Sequence, residues 1–529
     1  MEKFFDLALG AALEGTEELY FRSEGFVSEN GLMKAERKGS AVSFDTYFNM
    51  IPSAKLREYT SAQEIVFTVM GTNIETEIFA SNGTREISLG SDLKIIVRDI
   101  PENAVYIYPV VRAADGGAVL EKISVSIEGK TAPVDIALII CTYKREEYLI
   151  PNLEYISREV KLRDLPIEII AVDNAGSVSA EDIPNEVRLI PNENTGGSGG
   201  FSRGMAEAAR AKQFTHFILM DDDVRLDMIS LSKLVGFVRF RNEKHKDVSI
   251  SGSMLYIDRP QIQFESGGYF APDGTQTGFG HYLDMCDKKN LSVNEQPKTI
   301  NYGGWWFMCM PIRYVYEGNY PMPFFVKYDD VEYALRCRLE IITLNGVSVW
   351  HEPFEWKYNS SSEYYNMRNF LYLRSITDKK FTKRQAKKIA YRQILEKLCR
   401  QQYKMAESVR LGYEDYLKGI EYLKEINAEE NHRKVTQLDY EMLSEEELFR
   451  RWGVRFSEEK YRQSQKAEYK WYMRPLMYGL LVPKIFCKKD YAVVDAFFDR
   501  KEMYFSYTKV LHINNSSKQG YITYKKRRR

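Results

Sequence analysis

Phe217-Ile218-Leu219-Met220-Asp221-Asp222-Asp223-Val224-Arg225-Leu226-Asp227 runs four apolar residues straight into three carboxylates. An interior strand cannot bury that much charge without a cation, so the pattern predicts a buried strand that stops at the edge of a site. If the extended conformation persists past Met220, Asp221 and Asp223 share one face and Asp222 points to the other. Carboxylates are hard oxygen ligands suited to Mg2+ or Mn2+. Such ions are held by one or two protein carboxylates with substrate phosphates completing the shell. A nucleotide diphosphate is therefore the substrate to look for, and a solvated acidic turn is the plain alternative for so short a motif.

The flanking sequence places this stretch in an α/β domain. Ile136-Ala137-Leu138-Ile139-Ile140, Ile167-Glu168-Ile169-Ile170-Ala171-Val172 and Val187-Arg188-Leu189-Ile190 read as strands alternating with helical segments, the pattern of a mostly parallel sheet. Ligands of open α/β sheets bind outside the carboxyl ends of the strands. Thr142, Arg145, Asp173 and Asn174, which follow the first two strands, are thus expected around the same crevice as the aspartates, unless each is only a turn or cap residue. Asn194-Thr195-Gly196-Gly197-Ser198-Gly199-Gly200-Phe201-Ser202-Arg203-Gly204 opens a helix, and Gly196 and Gly197 could bring backbone N–H groups close to a phosphate. The stretch lacks a P-loop Lys-Ser/Thr, and a flexible loop is the alternative.

Further along, residues 251–300 are rich in glycine turns and predict a mobile wall. Trp305-Trp306 after Gly303-Gly304 could put one ring on a pocket wall or both in the core. Asp329-x-x-Glu332 has capping-box spacing, which leaves Asp330 as a carboxylate with no structural duty and a candidate base. His351 ends the apolar run Val347-Ser348-Val349-Trp350 and is a reasonable third metal ligand.

Before the α/β region, short period-two runs separated by turn signals over residues 42–129 predict a β-sandwich or jelly roll. Its aromatics, Tyr47 and Phe48 among them, are expected in the core rather than on a sugar platform. From residue 360 the chain reads as largely helical, opening with Tyr364-Tyr365-Asn366-Met367-Arg368-Asn369. A basic amphipathic segment over residues 379–404 and the tail Lys525-Lys526-Arg527-Arg528-Arg529 suit an anionic membrane surface, with a solvated face as the alternative. The expected division is residues 1–131 as a jelly-roll-like sandwich, 132–375 as the α/β domain and 376–529 as mainly α-helical.

Composition narrows the classes. Lys plus Arg and Asp plus Glu both number 74 in 529 residues, so no global charge draws the chain to nucleic acid, and no nucleic-acid motif accompanies the basic clusters. Six scattered cysteines without a C-x-x-C pair fit a reducing compartment. The start, Met1-Glu2-Lys3-Phe4-Phe5, does not resemble a signal peptide, and no apolar run reaches the ~18 residues of a span. A cytoplasmic protein, peripheral on the inner face of the membrane, is expected.

Taken together, Thr46-Tyr47-Phe48-Asn49, Gly196-Gly197-Ser198-Gly199-Gly200-Phe201-Ser202-Arg203, Met220-Asp221-Asp222-Asp223, Trp305-Trp306, Asp329-Asp330 and His351 resemble the inverting GT-A glycosyltransferases of family 2, and within them the bacterial galactofuranosyltransferases. The resemblance implies that Asp221, Asp223 and His351 hold Mn2+ or Mg2+ against a UDP diphosphate. It also implies that Arg145, Asp173 and Asn194 contact the nucleotide, that Trp305 and Trp306 contact the acceptor, and that Asp330 is the general base. Asp329 is grouped with the acceptor contacts. The implied partners are a UDP-sugar donor, with UDP-galactofuranose first, and a glycan or polyprenyl-linked glycan acceptor. Another nucleotide sugar, such as a UDP-hexose or dTDP-rhamnose, or a non-catalytic glycan-binding protein are the other readings. The C-terminal helices match no motif of the family and leave a homo-oligomer open.

Overall fold

The computed structural model describes residues 1–456, 491–495, 509–514 and 516–524; the basic tail over residues 525–529 lies outside them. The chain forms two compact units, one of Met1–Met322 with Asp330–Glu352, the other of Pro323–Asp329 with Pro353–Arg529.

In the first unit, residues 2–128 make two antiparallel sheets. One has six strands with Ala118–Glu128 at its heart, paired to Glu64–Thr72 on one side and to Glu2–Asp6 and Leu32–Ala35 on the other. The second runs Arg22–Glu24, Ala41–Ser43, Tyr106–Ala113, Ile74–Ser81, Glu86–Ser91. Tyr47 and Phe48 are fully buried, as expected of core aromatics. Asn49 pins that segment by donating to the Ala8 and Tyr20 carbonyls at 2.8 and 2.6 Å. The Lys233 ammonium is buried and donates to the carbonyls of Phe48, Met50 and Asn345 at 2.7, 3.0 and 3.1 Å. Three carbonyl dipoles partly replace the water that burial removes.

A seven-stranded sheet follows in the order Arg188–Pro191, Ile167–Asp173, Ile136–Thr142, His216–Asp221, Phe307–Pro311, Ser249–Ser251, Ile341–Ile342. Its first four strands are parallel. Of these, Ile136–Thr142, Ile167–Asp173 and His216–Asp221 are near-continuous runs of buried residues because helices cover sheets of this kind on both faces, while the edge strand Arg188–Pro191 buries only Ile190. Chain order reverses between Ile136–Thr142 and His216–Asp221, which is where such sheets open a crevice. Thr142 is in register with Asp173, and Cys141 with Asp221, so the polar strand ends share one edge. The helix Gly196–Ala211 lies so close to the sheet that a Cβ on Gly200 would meet the Cys141 Sγ at 2.1 Å, and one on Gly204 the Ile139 Cγ2 at 2.3 Å. Those two glycines serve helix-to-strand packing.

The 251–300 stretch differs from the mobile wall expected of it. It holds the strands Ser253–Tyr256, Gln263–Glu265, Gly268–Phe270 and Gln276–Gly278 and the helix Lys288–Glu295. Buried amides stitch it down: Asn294 donates to Gln263 at 3.2 Å and to Asn345 at 2.7 Å. Glycine turns marked strand connections here rather than slack chain.

In the second unit, helices run from Ser360–Thr377 to Glu445–Trp452, but the expected mainly helical character stops short of the end. Tyr491–Asp495, Lys509–Asn514 and Gln519–Tyr524 form a three-stranded sheet, built on β-branched and aromatic residues such as Val510, Ile513, Tyr521 and Ile522. Within the basic segment, the helix Lys383–Cys399 turns Ile389 and Ile394 onto its neighbours. Tyr391 and Leu395 stay 59% and 44% exposed. Among the described residues no helix is long and apolar enough to cross a membrane.

Candidate metal and substrate site

The strand His216–Asp221 ends at Asp221, and a turn at Asp222 and Asp223 replaces the continued extension on which the face argument rested. The outcome for the side chains matches the expectation. Asp221 and Asp223 converge with His351, whose strand Ser348–His351 lies in a neighbouring four-stranded sheet, and one ligand atom from each of the three lies within 4.8 Å of the others. Asp222 points elsewhere and accepts the Thr142 hydroxyl at 2.7 Å. Burial pushes the Asp222 carboxyl up to about 7, against the Thr142 hydrogen bond, which lowers it, and with the Asp223 charge, which raises it further.

The three converging groups differ in exposure. The Asp221 side chain is 35% exposed, whereas those of Asp223 and His351 are 4% and 3% exposed. His351 Nδ1 faces the Glu352 carbonyl, which only accepts, so Nδ1 carries the proton. In the neutral ring Nε2 then presents a lone pair 3.3 Å from Asp223 Oδ1 and 3.9 Å from Asp221 Oδ2. Two carboxylate oxygens with one imidazole nitrogen are a donor set that fits a divalent ion such as Mn2+ or Mg2+. A backbone carbonyl that fixes the other ring nitrogen is the usual support for a ligating histidine.

The turn is pinned from behind. Asn152, on the helix Glu146–Leu162, donates to the carbonyls of Asp222 and Val224, both at 2.8 Å. Arg145 pairs with Asp223 and stands 3.6 Å from Asp222. Asp227 caps the next helix, accepting the Ile229 N–H at 2.9 Å.

The other expected nucleotide contacts cluster at the same sheet edge and carry local bonds of their own. Asp173 accepts the N–H groups of Ala175 and Val178, both at 2.8 Å. Asn174 donates to the Gly196 carbonyl at 3.0 Å and accepts from Asn192 at 2.8 Å, while Asn194 accepts the Gly196 N–H at 3.3 Å. Gly196 sits at φ +71°, a left-handed turn that glycine enters freely, and Gly197 is the next residue of the helix.

Trp305 and Trp306 are both buried. Trp306 donates to the Gly252 carbonyl at 2.8 Å, and Trp305 packs edge-on against Phe201 and Tyr333 at 5.6 and 6.1 Å. Asp329 and Asp330 open the helix Asp329–Cys337. Glu332 does not turn back on Asp329 as capping-box spacing predicts. The Glu332 carboxylate is engaged by Arg336 and by the Met322 N–H at 3.2 Å, and Asp330, expected to be idle, accepts the Val331 N–H at 2.8 Å.

Glu265 was missed by the sequence reading. It ends the strand Gln263–Glu265, is buried, and has His281 Nε2 3.8 Å away. Burial pushes its carboxyl up to about 8, the Asp330 charge adds to the rise, and the Tyr302 hydroxyl opposes it. A carboxyl group that burial holds in its neutral form is the kind of group that acid chemistry uses. In the sequence it lies in phase with Gln261 and Gln263 on the polar side of an alternating run, which reads as a solvated face.

Residues 133–357 match the family described as "Glycosyltransferase like family 2". The chain is 26% identical over 372 residues to the galactofuranosyltransferase GlfT2 of Mycolicibacterium smegmatis, covering 63% of this chain and 57% of that protein. It is likewise 26% identical over 375 residues to the Mycobacterium tuberculosis GlfT2, covering 63% and 58%. The chain thus spans less than two thirds of the length of the curated relatives it matches. Among solved structures, a mannosyltransferase of Pyrobaculum calidifontis aligns at 12% identity over 54% of this chain and 90% of that one, with a TM-score of 0.31.

Proposed function

We propose, on the premise that residues 133–357 are a domain of the glycosyltransferase like family 2, that this chain is a metal-dependent inverting glycosyltransferase. Its donor is UDP-galactofuranose and its acceptor a lipid-linked or growing cell-surface glycan. The observation that carries the reading is the convergence of Asp221, Asp223 and His351 at the carboxyl edge of a parallel sheet. The donor rests on the likeness to the two galactofuranosyltransferases.

In this reading the chain divides as a sandwich over residues 1–131, a GT-A domain over 132–375 and a C-terminal domain over 376–529. Asp221, Asp223 and His351 would hold a divalent ion, which when bound supplies positive charge for the departing diphosphate. Thr142, Arg145, Asp173, Asn174, Asn194, Gly196 and Gly197 line the nucleotide side. Trp305, Trp306 and Asp329 line the acceptor side. Asp330 takes the proton from the acceptor hydroxyl as that oxygen bonds to the anomeric carbon. The bond from that carbon to the diphosphate breaks on the opposite face, which inverts the centre.

A panel of UDP-sugars and dTDP-rhamnose, assayed with and without Mn2+, tests the donor. Turnover is expected to be fastest with UDP-galactofuranose and to need the metal; faster turnover of UDP-glucose or UDP-galactopyranose rejects the donor while keeping the transferase. A peripheral membrane location is supported by Arg384, Lys387 and Lys388 standing beside exposed Tyr391 and Leu395. Sedimentation with anionic vesicles should show binding that falls as salt rises. Full recovery in the supernatant at low salt would leave these charges merely solvated.

A further inference from the structure

The segment leading into Asp329 and Asp330 has a backbone that its own residues disfavour. Phe325, Lys327 and Tyr328 all lie in the left-handed region, at φ +73°, +68° and +67°. Side chains with a Cβ avoid that region, and three such residues within four positions persist only where surrounding groups over-determine them. Those groups come from the helix Ser360–Thr377, through a motif that the proposed reaction does not use, Tyr364-Tyr365-Asn366-Met367-Arg368-Asn369.

Asn369 Nδ2 donates to the carbonyls of Phe324, Val326 and Lys327 at 3.1, 2.7 and 3.0 Å. Arg368 Nη2 adds a second bond to the Phe324 carbonyl at 2.7 Å, and its Nε fixes the amide by donating to Asn369 Oδ1 at 2.9 Å. Arg368 is held in turn through Nη1 to the Tyr364 hydroxyl at 3.1 Å. The Phe325 ring packs against both Tyr365, at 5.4 Å and 13°, and His432, at 4.7 Å and 28°, and those two rings lie 5.9 Å from each other. Arg368 and Asn369 are both buried, so each of these bonds forms where water cannot replace it.

We propose that Tyr364, Tyr365, Arg368 and Asn369 form a clamp that holds residues 324–328 in this conformation, and that Asn369 and Arg368 are thereby positioning residues for the Asp330 carboxylate. The inference rests on the reading of Asp330 as the base. It assigns a purpose to the backbone conformation: a left-handed run aims the start of the next helix, and a fixed aim is what a proton acceptor needs.

The test compares Asn369→Ala, Asp330→Asn and the wild type in the full chain. It uses steady-state transfer at saturating substrates, calorimetry of UDP binding with Mn2+, and amide hydrogen exchange over residues 323–331. Asn369→Ala should lower kcat by roughly 10- to 100-fold. UDP affinity should stay within about twofold, and the loop amides should exchange faster. Adding Lys327→Asn, which places there a residue that enters the left-handed region more readily, should recover part of the lost turnover. A merely structural anchor would not respond to that second change. Should Asn369→Ala fail to fold, Arg368→Lys is read in the same way, since it keeps the charge and loses the planar fork. Wild-type kcat in the clamp variant beside an inactive Asp330→Asn overturns the clamp alone, as does a fall in UDP affinity equal to the fall in kcat. Normal turnover in Asp330→Asn overturns the base assignment and the clamp's catalytic role with it.

Discussion

Asp221-Asp222-Asp223 and Asp329-Asp330 both put adjacent carboxylates at the end of a secondary-structure element, yet the two groups are held by different means. The first stands where a buried parallel strand stops. Its turn is fixed by Asn152 on two carbonyls, by Thr142 on Asp222 and by Arg145 on Asp223. The second follows a loop with three left-handed residues and opens a helix. Charges proposed to share a cation sit here at a sheet edge, a more precise support than a loop. A carboxylate that must meet a hydroxyl needs an aim set independently, and a held loop supplies it.

The largest effect should come from breaking the second group. Asp330→Asn keeps shape and removes basicity, so transfer at saturating donor and acceptor should fall by ~10²–10⁴-fold while UDP binding survives. Asp329→Asn, one position earlier on the same helix, should leave most of the transfer. Steady-state kinetics on the pair decide it: a large loss in Asp329→Asn with normal Asp330→Asn would exchange their roles.

A smaller effect sharpens the same comparison through Glu265. Its folded pKa of about 8 lies above the ordinary value of 4.5, so the folded chain holds the extra proton between the two. The stability this contributes is fully present below about 4.5 and is lost as pH climbs through about 8. Denaturant unfolding across that window should show wild-type stability falling more steeply with pH than that of Glu265→Gln. Parallel curves would mean that Glu265 is ionised in the folded chain.

How much of this could be read from the sequence follows the same divide. The strands beside the aspartates were legible because a run such as Ile136-Ala137-Leu138-Ile139-Ile140 is buried on both faces and leaves an unbroken apolar signature. Asp221, Asp223 and His351 were legible because each ends such a run. Asn152 was not, since it reaches the turn from 70 residues away and sits in an ordinary amphipathic helix. Nor was the backbone of residues 325–328, because Phe, Lys and Tyr carry no mark of a left-handed conformation imposed by Asn369. Gly196 and Gly197 were read toward a phosphate, and the part of Gly200 and Gly204 in the same run, which is the closeness of Cys141 and Ile139, carried no separate signal. The sheet of Tyr491–Asp495, Lys509–Asn514 and Gln519–Tyr524 was hidden behind a helical reading of the region as a whole.

The claim on which the account turns is that Asp221, Asp223 and His351 together bind a divalent ion against a nucleotide diphosphate. Calorimetry of UDP binding to the wild type and to Asp223→Ala, each with and without Mn2+, tests it most directly. The wild type should bind UDP at least about tenfold more tightly with the ion, a difference of ~1.4 kcal/mol, and Asp223→Ala should show no such gain. Wild-type, Mn2+-dependent UDP affinity in Asp223→Ala would contradict it.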